Sequence, residues 1–265
     1  GMAIMMQGSS ITKIDMASCS IKMNDDGSFN LLCGATDIGT GSDTMMAKIA
    51  AEVLGVKTSD VIVYSSDTDL TPFDVGAYAS STTYLSGMAA KRCAEEVAAR
   101  IRSVAAEVLE EPAEGIRLEG GKAVGAKGEA ALSRIALRTL YEKDQQQIAA
   151  FASAFSDQSP PPFAAHAVEV EVDTETGKVR VVKYVTATDC GVAINPLLAE
   201  GQVEGALLNG ISYALSERYI YNERGRMLNP SFGVYGVWFI RDLPEIRTFL
   251  VPTYEPTGPF GAKSI

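Results

Sequence analysis

Hydrophobic residues recur along the chain with two different periods, and the switches between them mark its elements. Residues 18–23 alternate apolar and polar, Asn24-Asp25-Asp26-Gly27 is a strong turn, and residues 28–33 return, which predicts an antiparallel hairpin. Behind Gly39-Thr40-Gly41-Ser42, the positions Met46, Ile49, Ala50, Val53 and Leu54 fall at helical spacing. Ser42 or Asp43 would cap that helix and Gly55 would end it. Residues 61–64 read as a strand, and a turn-rich stretch, 65–81, leads into a long helix. Its stripe is Leu85, Ala89, Cys93, Val97, Ile101, Val104 and Val108, and Pro112 stops it. Short strands around Ile116 and a short helix over 132–140 follow.

The prolines within 156–162 mark the best boundary. Beyond it Val168, Val170 and Val172 alternate, residues 173–178 turn, and 179–186 return as a second hairpin. Asn195-Pro196 opens a helix to about Glu217, with Val203, Leu207, Ile211 and Leu215 four apart. Residues 218–265 read as strand and loop. This order of elements predicts an α+β fold of mostly antiparallel or mixed sheets with packed helices, in two sub-domains, 1–157 and 163–265.

Composition narrows the function. The chain has 265 residues and a net charge of −10, so phosphate-rich nucleic acid and anionic membranes are poor partners. No apolar run reaches transmembrane length and the first ten residues carry no basic region, so neither a membrane span nor a signal peptide is expected. Cys19, Cys33, Cys93 and Cys190 are widely spaced, as expected of buried, inert thiols in a reducing cytoplasm rather than an iron–sulfur site. His166 is the sole histidine and lies in an alternating run, which reads as a satisfied strand residue.

Three glycine- or hydroxyl-rich turns precede helices. The first, residues 37–44, has no Lys after its second Gly and Thr44 in place of a third Gly, so it is neither a P-loop nor a dinucleotide fingerprint. A plain capped turn and an anion or cofactor site both fit it. The second, residues 76–83, places four hydroxyls before the long helix, and capping needs only one. The third runs from Asp189-Cys190-Gly191 through Asn195-Pro196 to Gly201-Gln202-Val203-Glu204-Gly205, where a solvent-facing Gln202 is the default. The final stretch, Gly258 to Ile265, is apolar and glycine-rich and reads like the interior of a longer protein.

Together, Gly39 to Thr44, Ser66-Asp67-Thr68-Asp69 with Thr71-Pro72, Ala79 to Thr82, Asn195-Pro196, Gly201 to Gly205 and Gly258 to Ile265 resemble the molybdenum hydroxylases, the xanthine dehydrogenase and aldehyde oxidase family. The resemblance covers nearly the whole chain but only the second, C-terminal cofactor-binding half of the large subunit. It implies that Gly39, Thr40 and Gly41 touch the pterin pyrophosphate, with Thr40 where Gln is common. Ala79 and Ser80 would lie beside the molybdenum centre, Ser81 and Thr82 on the phosphate side, and Gln202 near the metal's ligands. Asn209 stands where a second Gln is common. The metal would be held by the pterin, with no protein ligand; the implied cofactor is molybdopterin, with a dinucleotide form suggested by the Gly-Thr-Gly variant. Iron–sulfur clusters and FAD would sit on other domains or subunits. The implied reaction is hydroxylation of a purine, another N-heterocycle or an aldehyde with water as oxygen source. Its glutamate base is expected just beyond Ile265, so no catalytic residue lies in this chain, and the chain alone is expected to be inactive. A non-catalytic cofactor-binding or scaffold domain is the alternative.

Overall fold

The computed structural model describes residues 1–142 and 145–265. Strand β1 (Met2–Met6) precedes the expected hairpin of β2 (Met16–Met23) and β3 (Phe29–Cys33). The hairpin pairs from Cys19 opposite Cys33 to Met23 opposite Phe29. Its turn closes as the sequence requires: Gly27 takes φ +87°, and Ser28 N donates to Asp26 Oδ1 at 2.8 Å. Helix α1 (Ser42–Leu54) crosses to β4 (Val61–Ser65), which lies parallel to β3. Helix α2 (Gly87–Leu109) is followed by a small sheet of β5 (Arg117–Glu119), β6 (Lys122–Val124) and β7 (Glu129–Ala131), then α3 (Leu132–Leu137). Strand β8 (Ala149–Phe155) pairs antiparallel with β2, giving a first sheet of order β4-β3-β2-β8.

Helices α1 and α2 pack together on this sheet, and the main core lies there. Leu85, Ala89, Cys93, Val97 and Ile101 of the long stripe are all at most 2% exposed, as their spacing requires. They meet Ile21, Phe29 and Leu31 from the sheet and Met46 and Ile49 from α1. Each large apolar side chain withdrawn in this way contributes about 1.5–3 kcal/mol.

Strands β9 (Phe163–Val172) and β10 (Val179–Asp189) form the second hairpin. Helix α4 (Pro196–Leu215) crosses from β10 to β11 (Glu245–Leu250), which is parallel to β10. The second sheet has the order β1-β9-β10-β11, so the first strand of the chain completes the last sheet, Met2 facing Ala167. Helix α4 buries Val203, Leu207 and Ile211, the fourfold series read from the sequence.

The α+β expectation holds, with mixed sheets. Both parallel pairs are joined through a helix, the connection parallel neighbours need. One local expectation fails: neither Ser42 nor Asp43 caps α1. Gly41, at φ +75°, occupies the cap position, because the chain enters the helix through a left-handed residue. No helix among the described residues is long and apolar enough to cross a membrane.

Candidate functional site

The two crossovers aim their helices at one place. Helix α1 leaves the end of β3 and α4 leaves the end of β10, the position where parallel strands open crevices. Their first turns meet the loop before α2 around a cavity of about 330 Å³. Thr40, Gly41, Ser42 and Met45 form one wall, residues 77–83 a second, residues 192–195 with Leu198, Ala199 and Gln202 a third, and Lys263, Ser264 and Ile265 close it. Gly41 permits this convergence: a Cβ there would lie 2.2 Å from Leu198 Cδ1.

The loop before α2 is strained and firmly held. Ala79 and Ser80 take φ +49° and +52°, a region costly for any residue with a Cβ. Ser10 N donates to Ala79 O at 3.0 Å, and Gln7 Nε2 donates to Ser80 Oγ at 2.8 Å. Tyr78 OH donates to Asp15 Oδ1 at 2.6 Å, and Asp15 is only 1% exposed. That bond to a carboxylate raises the Tyr78 phenol above its ordinary range. Ser81 Oγ turns back to Tyr78 O at 2.9 Å instead of capping the helix. The hydroxyls of Thr82 and Thr83 line the cavity and have no hydrogen-bond partner among the described residues.

The Gly-Thr-Gly turn is organised from within. Asp37 Oδ1 accepts from Gly39 N at 2.9 Å and Gly41 N at 3.1 Å, and Oδ2 accepts from Asp43 N at 3.4 Å. Partial desolvation would raise this carboxyl, but backbone donors at Gly41, Gly39, Asp43 and Thr40 outweigh it and hold the pKa below the usual range. The amides that the sequence offered to a pyrophosphate therefore already serve an internal anion. Ser42 Oγ does not: it is buried, on the cavity wall, and has no partner among the described residues.

A buried ion pair fastens the far wall. Lys263 Nζ lies 2.8 Å from Asp189 Oδ2 and donates to Pro161 O at 3.0 Å. Asp189 Oδ1 accepts from Thr253 Oγ1 at 2.6 Å and Gly191 N at 2.9 Å. Burial would raise the Asp189 carboxyl, but Lys263 and these donors outweigh it and lower the pKa. Cys190 also lines the cavity, and burial pushes its thiol up, which keeps it protonated. All four cysteines are buried and free.

Of the residues singled out from sequence, Thr40, Gly41, Ala79, Ser80, Ser81, Thr82 and Gln202 line this one cavity. Gly39 lies outside it, exposed at the tip of its turn. Asn209 faces elsewhere: its Nδ2 donates to Gly205 O of its own helix at 3.2 Å. Sequence reasoning missed Gln7, Asp15 and Asp37. Asp37 left a readable signal, the Asp-x-Gly spacing of a side-chain-closed turn; Gln7 and Asp15 left none.

Helix N-termini around a hydroxyl-lined cavity suit proteins that receive an anionic group, and here Asp37 already takes three of the amides at the α1 end. The match is specific: the chain belongs to the molybdopterin cofactor-binding domain family, whose family model covers residues 1–244. It is 42% identical to the probable hypoxanthine oxidase XdhD of Escherichia coli K12, over 100% of this chain and 28% of that protein. It is 35% identical to the putative xanthine dehydrogenase molybdenum-binding subunit XdhA of the same organism, over 95% of this chain and 34% of that one. The solved quinoline 2-oxidoreductase of Pseudomonas putida 86 superposes with a TM-score of 0.91 at 26% identity, over 100% of this chain and 36% of that one. The chain thus spans about a third of the relatives it matches.

Proposed function

We propose that this chain is the second, C-terminal half of the molybdopterin site of a molybdenum hydroxylase large subunit, acting on a purine, another N-heterocycle or an aldehyde with water as oxygen donor. The observation that carries this reading is the meeting of three helix N-termini at one cavity with the orphaned hydroxyl of Ser42. An anionic pterin phosphate answers both features, since it is drawn to positive helix ends and accepts from a hydroxyl. Thr40, Ser42, Thr82 and Thr83 would bind the cofactor's polar edge. Ala79 and Ser80, held left-handed, would keep the wall thin, and Gln202 would orient a group at the metal end. When bound, the cofactor supplies the two-electron redox centre; the protein residues bind and orient it and exclude water. A dinucleotide form fits the extra hydroxyls at 82–83.

In this reading residues 1–157 and 163–265 act as two sub-domains of one cytoplasmic subunit. The first molybdopterin-binding half and the iron–sulfur and flavin domains or subunits are its partners. The chain spans about a third of the length of its relatives, so the 265 residues alone are expected to be inactive. Purifying that chain and measuring molybdenum and turnover tests this: stoichiometric metal or hydroxylation overturns it. Titration with inorganic pyrophosphate, followed by 31P NMR, tests the site itself, and saturable binding lost in Ser42→Ala with Thr82→Val supports it. A second reading, a scaffold domain that binds cofactor without catalysis, is favoured by Asn209 facing its own helix rather than the cavity.

A further inference from the structure

Strand β1 is exposed at every position, with Met2, Ile4 and Met6 81%, 78% and 66% exposed. It forms one edge of the second sheet and has β9 on one side only. Gly1 N donates to Val168 O at 2.7 Å, Val168 N donates to Gly1 O at 2.8 Å, and Gln7 N donates to Pro162 O at 3.2 Å. In an antiparallel pair such bonded positions alternate with unbonded ones, so Gly1, Ala3, Met5 and Gln7 turn their backbone groups to β9. The N–H and C=O groups of Met2, Ile4 and Met6 therefore point out along the free edge, with no partner among the described residues.

The free edge of the first sheet is guarded by comparison. Met23 N donates to Ile148 O at 2.9 Å, so the same alternation turns the backbone of Ala149, Phe151 and Ser153 to the open side of β8. There Arg100 Nη1 donates to Ala149 O, and Arg92 Nη1 donates to Ser153 O at 3.1 Å, so α2 covers two of these carbonyls with charge. Strand β11, the other edge of the second sheet, carries the exposed charges of Glu245 and Arg247. Strand β1 has neither proline nor charge, the condition under which an edge recruits another strand.

We propose that β1 pairs with β1 of a second copy of this chain, antiparallel about a twofold axis at Ile4, which joins the two second sheets into one. The register selects this occupant. A reversed copy set with Ile4 opposite Ile4 and Met2 opposite Met6 meets every outward backbone group, and each opposed pair exchanges two hydrogen bonds. The same register lays Ile4 beside Ile4 and Met2 beside Met6, apolar neighbours that stabilise a ladder. Charge points the same way. The chain carries −10 overall, so two copies repel in most approaches, but the first charged side chain is Lys13 and β1 brings none to the contact. A strand edge about 17 Å long gives a contact smaller than the roughly 1,200 Å² of a stable complex, so the dimer is reversible and forms on the order of 100 µM.

Sedimentation velocity of the 265-residue chain from about 5 to 500 µM tests this, and the mass should rise from monomer toward dimer across that range. Ile4→Lys sets two ammonium groups together at the axis, and Ile4→Pro removes only an outward N–H, which an edge strand tolerates. Both should stay monomeric with the melting temperature of the unaltered chain. Ile4→Cys should give a covalent dimer with oxidised glutathione, because opposed bonded positions lie about 5.5 Å apart between Cα atoms, within disulfide reach. Ile62→Cys, exposed on β4, should not, and the four native cysteines are buried. A monomer at every concentration overturns the proposal and leaves the edge to another strand of the parent subunit. A dimer that persists in Ile4→Lys, or equal cross-linking at Ile62, overturns it as well. Met2, Ile4 and Met6 do not line the cavity that pyrophosphate probes, so this inference and the cofactor reading fail independently.

Discussion

Lys263→Met tests whether the buried ion pair holds the far wall of the first cavity. Lys263 and Asp189 are 8% and 18% exposed in their side chains, with nitrogen and oxygen 2.8 Å apart. Methionine fills similar space without the charge. It leaves Pro161 O unpaired and Asp189 with two donors, Thr253 and Gly191. Breaking a buried pair from one side costs about 3–5 kcal/mol. The surviving donors and residual exposure of Asp189 place the expected loss at the lower end, about 3 kcal/mol. With a urea dependence of about 3 kcal/mol per molar for a chain of this size, the midpoint should fall by about 1 M. Asp189→Asn should cost a similar amount, and the double variant much less than the sum, with a coupling of about 2 kcal/mol. A midpoint shift below about 0.3 M, or strictly additive losses, would refute the argument. The pair also sets a pH limit. Because the Asp189 pKa is lowered on folding, its contribution is present above the unfolded value, about 3.9, and is lost as pH falls through the lower folded value. Asp189→Asn should therefore flatten the acid limb of stability below about pH 4.

Gly41→Ala should destabilise the chain by about 1–3 kcal/mol in urea unfolding, because the residue is left-handed and its Cβ would strike Leu198; Leu198→Ala in the same chain should restore part of the loss. Asp15→Ala should cost about 1–3 kcal/mol by stranding Ile11 N and the Tyr78 hydroxyl, and hydrogen exchange should rise first in residues 76–83. Asp37→Asn keeps an accepting oxygen but removes a negative charge from the α1 N-terminus, so pyrophosphate should bind about two- to fivefold tighter by 31P NMR; unchanged or weaker binding would remove the α1 terminus from the anion site.

Periodicity made the helices and both hairpins legible, because a stripe such as Leu85 to Ile101 has one way to be buried. It could not name strand partners. Residues 61–64 read correctly as a strand, yet their parallel pairing with β3 depends on a crossover that alternation does not encode. Strand β1 escaped notice because Met-Ala-Ile-Met-Met does not alternate and all five residues are exposed. The site was legible as three separate turns. What the sequence could not convey is that two crossovers bring those turns together, or that Asp37 fills the nest of amides at the Gly-Thr-Gly turn. His166 was misjudged as a satisfied strand residue: its buried Nδ1 has no hydrogen-bond partner among the described residues.

The pairing of β1 with β9 carries a consequence for synthesis. Met2 meets Ala167, about 165 residues later in the chain. At roughly 5–20 residues per second, a ribosome exposes this apolar strand for about 10–30 s before its partner emerges. Closing so long a loop also costs several kcal/mol, by a logarithmic rule that gives about 4–5 kcal/mol. The second sheet is thus a late event in the life of the nascent chain, and Met2–Met6 stay an exposed apolar strand until it forms.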